Sequence, residues 1–199
     1  MSLLEALGSQ LGGSAISQLS QQLGTDDQTT GSAVSAALPV LLGALSRNAA
    51  SPQGAQALSH ALEKDHDGGI LDDVAGFLGQ GDANPGMGIL KHVLGGNQQR
   101  VEQGVSKASG LDSAGAGKLM AMLAPIVLGQ LGKQQRSQGL DVNGLASMLT
   151  NERNSFESAS PAAAGLMGSL LDADGDGDVD ISDIASRGAG LLGSLFGKR

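Results

Sequence analysis

The chain contains the apolar hexapeptide Leu38-Pro39-Val40-Leu41-Leu42-Gly43, and the related hexapeptide Ala124-Pro125-Ile126-Val127-Leu128-Gly129 follows later. The residues around the two hexapeptides match at the same offset: Gly24, Asp26, Gly31 and Leu45 correspond to Gly110, Asp112, Gly117 and Leu131. One residue of slippage then aligns Leu58 and Leu62 with Leu145 and Leu149. This internal repeat predicts two related units that pack together, because neither is large enough to bury its apolar face alone.

Outward from the repeat, apolar residues recur at three- and four-residue spacing, as in Leu3, Leu7 and Leu11, which is typical of amphipathic helices. Strand signals are nearly absent. We therefore expect an all-α fold, a compact array of short helices from two related helical units. The expected organisation is a single domain over 1–199, with an N-terminal helix at 1–23, a first unit at 24–79, a connector at 80–109 with a short helix near 87–94, and a second unit at 110–199.

Local composition adds three expectations about these helices. The 32 glycines lower helix propensity, so the helices should be short and loosely capped. Pro39 and Pro125 each remove a backbone donor and should kink or split their helices. The polar segment 151–160 is expected to be a flexible loop.

Composition also excludes several functional classes. The chain has no Cys, which excludes disulfides, thiolate metal sites and Cys nucleophiles. The net charge is −8, and Lys and Arg are scattered, so nucleic acid is not an expected partner. The N-terminus lacks the basic region of a signal peptide, and the apolar runs 36–45 and 120–129 are shorter than the roughly 20 residues of a membrane span. We expect a cytoplasmic protein that is not integral to a membrane.

The strongest local motif is an acidic loop at 172–183, which fits the twelve-residue EF-hand pattern. Gly177 stands at position 6, where the chain turns sharply, and Val179 stands at position 8, where an apolar residue anchors the loop. The Asp side chains and one Asp backbone carbonyl supply oxygen ligands. The expected metal-binding residues are Asp172, Asp174, Asp176, Asp178 (through its carbonyl), Asp180 and Asp183.

The predicted metal is calcium, and magnesium is the alternative, because Asp183 replaces the usual bidentate Glu at position 12 with a shorter side chain. Ser160-Pro161 is a typical helix start before the loop, and 181–196 continues as a helical pattern after it. A solvated acidic turn is the competing interpretation, but carboxylates at this spacing repel each other without a cation. Segment 65–73 resembles a shortened form of the loop, yet its spacing favours a helix N-terminal turn.

The strings LPVLLGAL, LAPIVLGQL and GGILDDVAGFLG, together with the late DxDGDG loop, resemble the YidB-like bacterial family that carries domain of unknown function 937. The acidic loop itself resembles EF-hand and dockerin-type loops. The family resemblance implies a compact array of short helices and offers no established activity or catalytic residues.

Three functional hypotheses follow from the sequence. The first is a non-enzymatic structural or interaction protein of unknown cellular role that binds one calcium ion for stability, and whose partner, if it has one, is an unidentified protein. The second is a calcium-modulated regulator that exposes an apolar groove, and the third is an uncharacterised hydrolase. His60, His66 and His92 lack metal-ligand spacing and are expected at the surface. Met120 and Met122 are expected in the core.

Overall fold

The structure is a computed structural model that describes residues 2–159, and these residues form nine α-helices and no β-strand. The all-α prediction is confirmed. The helices are α1 (Leu3–Gln10), α2 (Gly13–Leu23), α3 (Asp27–Ala49), α4 (Pro52–Lys64), α5 (Val74–Gly79), α6 (Asn84–Leu94), α7 (Gln98–Ser109), α8 (Ser113–Gln138) and α9 (Val142–Ala159). Short 3-10 turns precede α5 (Gly69–Asp73) and α7 (Gly95–Asn97).

The two hexapeptides lie in the two longest described helices, α3 and α8, which have 23 and 26 residues. Both helices continue through their prolines, Pro39 and Pro125, so the expectation of split helices is wrong. The expectation of short, loosely capped helices is also wrong for this pair. A proline costs a helix about 3 kcal/mol, and burial of the surrounding apolar residues against several neighbouring helices offsets that cost here.

The starts of α3 and α8 show the repeat in structural detail. Gly24 and Gly110 adopt left-handed conformations, with φ of 67° and 85°, and end the preceding helices α2 and α7. Two residues later, Asp26 and Asp112 cap the long helices: each carboxylate accepts a hydrogen bond from a backbone N–H in the first turn. The segments α2–α3–α4 and α7–α8–α9 are therefore equivalent helix triplets.

The two triplets interlock. Helix α3 of the first triplet packs against α7 and α9 of the second, while α8 packs against α3, α6 and α7. One contiguous hydrophobic cluster contains residues from all nine described helices. Met120 and Met122 are buried in this cluster, as expected.

Helix α6 approaches α8 very closely at Gly86. A Cβ atom added at Gly86 would overlap the backbone carbonyl of Ala121. Pro125 has no N–H to donate to that carbonyl, which is four residues earlier in α8. The proline and the glycine thus act together: the carbonyl that Pro125 leaves without a helical partner faces the bare backbone of α6.

Three other segments differ from expectation. The N-terminal region contains two helices, α1 (Leu3–Gln10) and α2 (Gly13–Leu23), instead of the one expected. The connector contains the expected helix α6 and also α7, which was not expected. The prediction of a flexible loop at 151–160 is wrong for residues 151–159, because these residues form the second half of α9. Phe156 and Leu149 of this helix pack on the core, which explains why a polar segment is helical.

By length and composition alone, α3 and α8 are apolar enough to cross a membrane. In this fold, 72% of the apolar window of α3 and 83% of that of α8 is buried inside the protein. Their apolar surfaces are thus covered by other helices of the same chain, as in the central helices of a globular core.

Candidate functional site

The predicted calcium loop lies outside the described residues. This holds for all six of its expected ligands, Asp172, Asp174, Asp176, Asp178, Asp180 and Asp183. The metal site therefore stays a prediction from the sequence. Within residues 2–159, no three or more His, Asp or Glu side chains come together in a way that could hold a metal ion.

The second acidic segment, 65–73, forms a turn that leads into α5. The carboxylate of Asp67 accepts a hydrogen bond from the backbone N–H of Gly69 at 3.0 Å, and that of Asp73 accepts one from the N–H of Gly76 at 2.8 Å. These carboxylates cap backbone groups at the start of a helix. The interpretation of this segment as a helix N-terminal turn agrees with these contacts.

An open groove of about 320 Å³ lies between α3, α4 and α6. Its floor is made of three buried leucines, Leu45, Leu58 and Leu128. Concave sites of about 300–1,000 Å³ with mostly apolar walls are typical of small-molecule binding. Of the cavities seen within residues 2–159, this groove has the size and accessibility of a binding site.

The walls of the groove are aliphatic, and small residues form part of its rim. Ala61, Ile89 and Val93 are partly buried and form the walls. The exposed rim includes Ala57 from α4 and Gly88 from α6. Because the rim side chains are short, the floor is accessible from the surface.

A small apolar void of about 10 Å³ adjoins the floor. It shares Leu45, Ile89, Val93 and Leu128 with the groove and reaches towards Leu41 and Ala124. A void of this size and character holds at most one water and stays dry when its lining is apolar. The void thus marks a place where the packing between the groove and the core is slightly incomplete.

The polar groups of the groove come from three separate segments: Asn48 near the end of α3, His66 in the turn after α4, and His92 in the last turn of α6. Partial burial lowers the pKa of the His66 imidazole, and the neighbouring Asp65 carboxylate opposes that shift only in part. Burial therefore favours the uncharged form of the His66 imidazole.

The turn that carries His66 is fixed against α8 by glycines. A Cβ atom at Gly132 would overlap the carbonyl of His66, and Gly68, with φ of 94°, lies against Gly129 and Lys133. Gly129 belongs to the second hexapeptide, so a glycine of the repeat leaves space on α8 for this turn. The position of His66 is thus set by backbone contact with the core.

Sequence reasoning placed His66 and His92 at the surface individually and missed that they line one groove. His92 is indeed exposed and His66 is half-buried. A weak signal was available, because Ile89, Val93 and His92 follow helical spacing on α6. That spacing shows one helix face and not which other segments meet it.

The fold and the groove define a class: an all-α protein of two interlocked helix triplets with an aliphatic groove on one side. A family model described as bacterial protein of unknown function (DUF937) matches residues 5–134. The chain belongs to this family. The match covers α1 to most of α8 and ends before α9, so the acidic loop at 172–183 lies beyond the matched region. Comparisons with curated proteins and with solved structures found no match.

Proposed function

We propose that this protein is a non-enzymatic structural or interaction protein that binds one calcium ion at 172–183 for stability. The observation that carries the proposal is the spacing of the acidic loop. Carboxylates at Asp172, Asp174 and Asp176 stand at positions 1, 3 and 5, and glycine stands at position 6. Hard divalent cations need six to eight oxygen ligands in this arrangement.

The described helices support the structural part of the proposal. Their core is continuous, and the N-terminal ends of the long helices are capped by side chains. A well-packed helical body is suited to present a surface and to hold an appended metal-binding loop.

The polar groups in the groove support the non-enzymatic part. Two imidazoles and an amide line it. Hydrolysis by a side-chain nucleophile requires that the nucleophile lies within hydrogen-bonding reach of a base that activates it. Among the described residues, no Ser, Thr, Cys or Lys side chain lines the groove as a nucleophile that these imidazoles could activate, which favours hydrogen bonding to a ligand or partner.

Calorimetric titration of the metal-free protein with calcium, and separately with magnesium, tests the metal site. We expect heat from one site per chain for calcium and weaker heat for magnesium. The variant Asp172→Ala/Asp174→Ala should give none. Asp67→Ala/Asp73→Ala, in the other acidic segment, is the matched control and should bind calcium as the unmodified protein does. If neither ion produces heat at millimolar concentration, the metal site does not exist.

The regulatory alternative differs in what calcium does to the surface. A calcium sensor exposes apolar surface when it binds the ion. A dye that fluoresces on apolar surface should show equal signals with and without calcium under our proposal. A calcium-dependent increase would favour the regulator instead.

A further inference from the structure

We propose that the groove between α3, α4 and α6 binds the aliphatic chain of a small single-chain amphiphile with an uncharged polar head. This inference goes beyond the proposed function, concerns residues 45–128 only, and does not depend on calcium. It rests on the shape and chemistry of the groove.

The walls select an aliphatic ligand. The groove has leucine, isoleucine, valine, alanine and proline side chains, and no Phe, Tyr or Trp side chain of the described residues lines it. Burial of apolar ligand surface against such walls removes that surface from water, which favours binding. A narrow aliphatic chain suits such walls, because the floor residues Leu45 and Leu128 and the wall residues Ile89 and Val93 offer only branched aliphatic contacts.

The polar groups select the head. Asn48, His66 and His92 are brought to the groove by three segments. An amide and an uncharged imidazole each offer both a donor and an acceptor, which suits a hydroxyl or amide head. None of the lining residues is Asp, Glu, Lys or Arg. A charged head would thus gain no ion pair from the lining residues, whereas a hydroxyl or amide head can donate to and accept from these polar groups.

The volume of the groove limits the size of the ligand. At about 320 Å³ it stands at the lower end of the range for ligand sites. The occupant is accordingly a chain of moderate length and not a bulky lipid with two acyl chains. We choose 1-octanol as the probe, with octanoate and octylammonium as charged probes of equal chain length.

The experiment is a methyl NMR titration of the full-length protein at neutral pH. We expect 1-octanol to shift the methyl signals of Leu58, Ile89 and Val93 and to leave those of Leu19 and Leu119, which are buried elsewhere, unchanged. Octanoate and octylammonium should bind at least about tenfold more weakly, a difference of about 1.4 kcal/mol.

Variants locate the site. Ala61→Phe places a ring inside the groove and should weaken 1-octanol binding by at least about tenfold. Ala57→Phe, at the exposed rim, should weaken it as well and serves if Ala61→Phe does not fold. Ala114→Phe is the matched control, because Ala114 is exposed on the first turn of α8 and does not line the groove. It should leave the affinity unchanged.

Several outcomes would overturn the proposal. One is the absence of any methyl shift up to the solubility limit of 1-octanol, and another is a set of shifts spread over the whole core. Equal or tighter binding of octanoate or octylammonium would contradict the uncharged head. Groove signals that shift with protein concentration alone would show that a second copy of the chain occupies the groove instead.

Discussion

Gly86 illustrates how one missing side chain sets the distance between two helices. A Cβ atom there would overlap the Ala121 carbonyl, so Gly86→Ala must push α6 away from α8. Overpacking of this kind costs about 1–3 kcal/mol. We expect the free energy of unfolding, measured by urea denaturation, to fall by that amount.

The matched control for this change is on the same helix. Gly88 has no heavy atom within 4 Å of an added Cβ. Gly88→Ala should therefore leave the stability unchanged or raise it by up to about 1 kcal/mol through helix propensity. If the two variants were equally stable, the close approach of α6 to α8 would be refuted.

Asp26 gives a residue-scale prediction about pH. Its carboxylate accepts hydrogen bonds from the backbone N–H and the hydroxyl of Thr29, each at 2.8 Å. The backbone hydrogen bond from Thr29, followed by the side-chain one, lowers the pKa of Asp26. A lowered pKa in the folded state stabilises the fold above the unfolded value, about 3.9. That contribution is lost as the pH falls through the folded pKa.

The test compares the unmodified protein with Asp26→Asn, which keeps a capping acceptor but has no charge. Between neutral pH and about pH 5 the unmodified protein should be the more stable. The difference should shrink progressively as the pH falls below about 4. The pKa of Asp27 is lowered by hydrogen bonds from Ser20 and Ser17, which both proteins keep, but the opposing effect of the Asp26 charge on Asp27 is lost in Asp26→Asn. A difference that stays constant with pH would contradict the assignment.

At the scale of elements, the caps of the two long helices should matter most. The Asp112 carboxylate accepts a hydrogen bond from the backbone N–H of Gly115 at 2.6 Å and so starts α8. Asp112→Ala should lower the free energy of unfolding by about 0.5–2 kcal/mol. Asp112→Ser should lower it by less, because the serine hydroxyl can also cap the helix. Denaturant midpoints of the two variants check this, and equal losses would argue against a capping role.

The sequence predicted those elements whose signals are local. The repeat identified α3 and α8 because cap residues and apolar residues recur together. Helix α7 was not foreseen because only Val101 and Val105 on it are buried, one helical turn apart, among polar residues. Pro39 and Pro125 suggested broken helices because local sequence does not show how many neighbours bury a helix. The groove was missed for the same reason, since it requires α3, α4 and α6 to meet.

At the scale of the whole molecule, a buried hydrogen bond joins the two triplets. The amide nitrogen Nε2 of Gln135 in α8 donates to Oγ of Ser59 in α4 at 2.8 Å, and both residues are buried. Ser59→Ala leaves the amide without this acceptor, which should cost about 1–3 kcal/mol. The double variant Ser59→Ala/Gln135→Leu removes both polar partners. Denaturation should therefore show that it is more stable than Ser59→Ala alone. A double variant less stable than Ser59→Ala would contradict this.

Calcium should act on the molecule as a ligand that binds only the folded state. Calcium at about a hundred times its Kd would then raise the free energy of unfolding by roughly 2.7 kcal/mol. The variant Asp172→Ala/Asp174→Ala should lose this gain while retaining its helical circular dichroism, because residues 2–159 form a continuous hydrophobic cluster from their own side chains. Thermal denaturation with calcium and with a chelator measures the gain. A calcium-induced rise of the same size in the variant would show that the ion acts elsewhere on the chain.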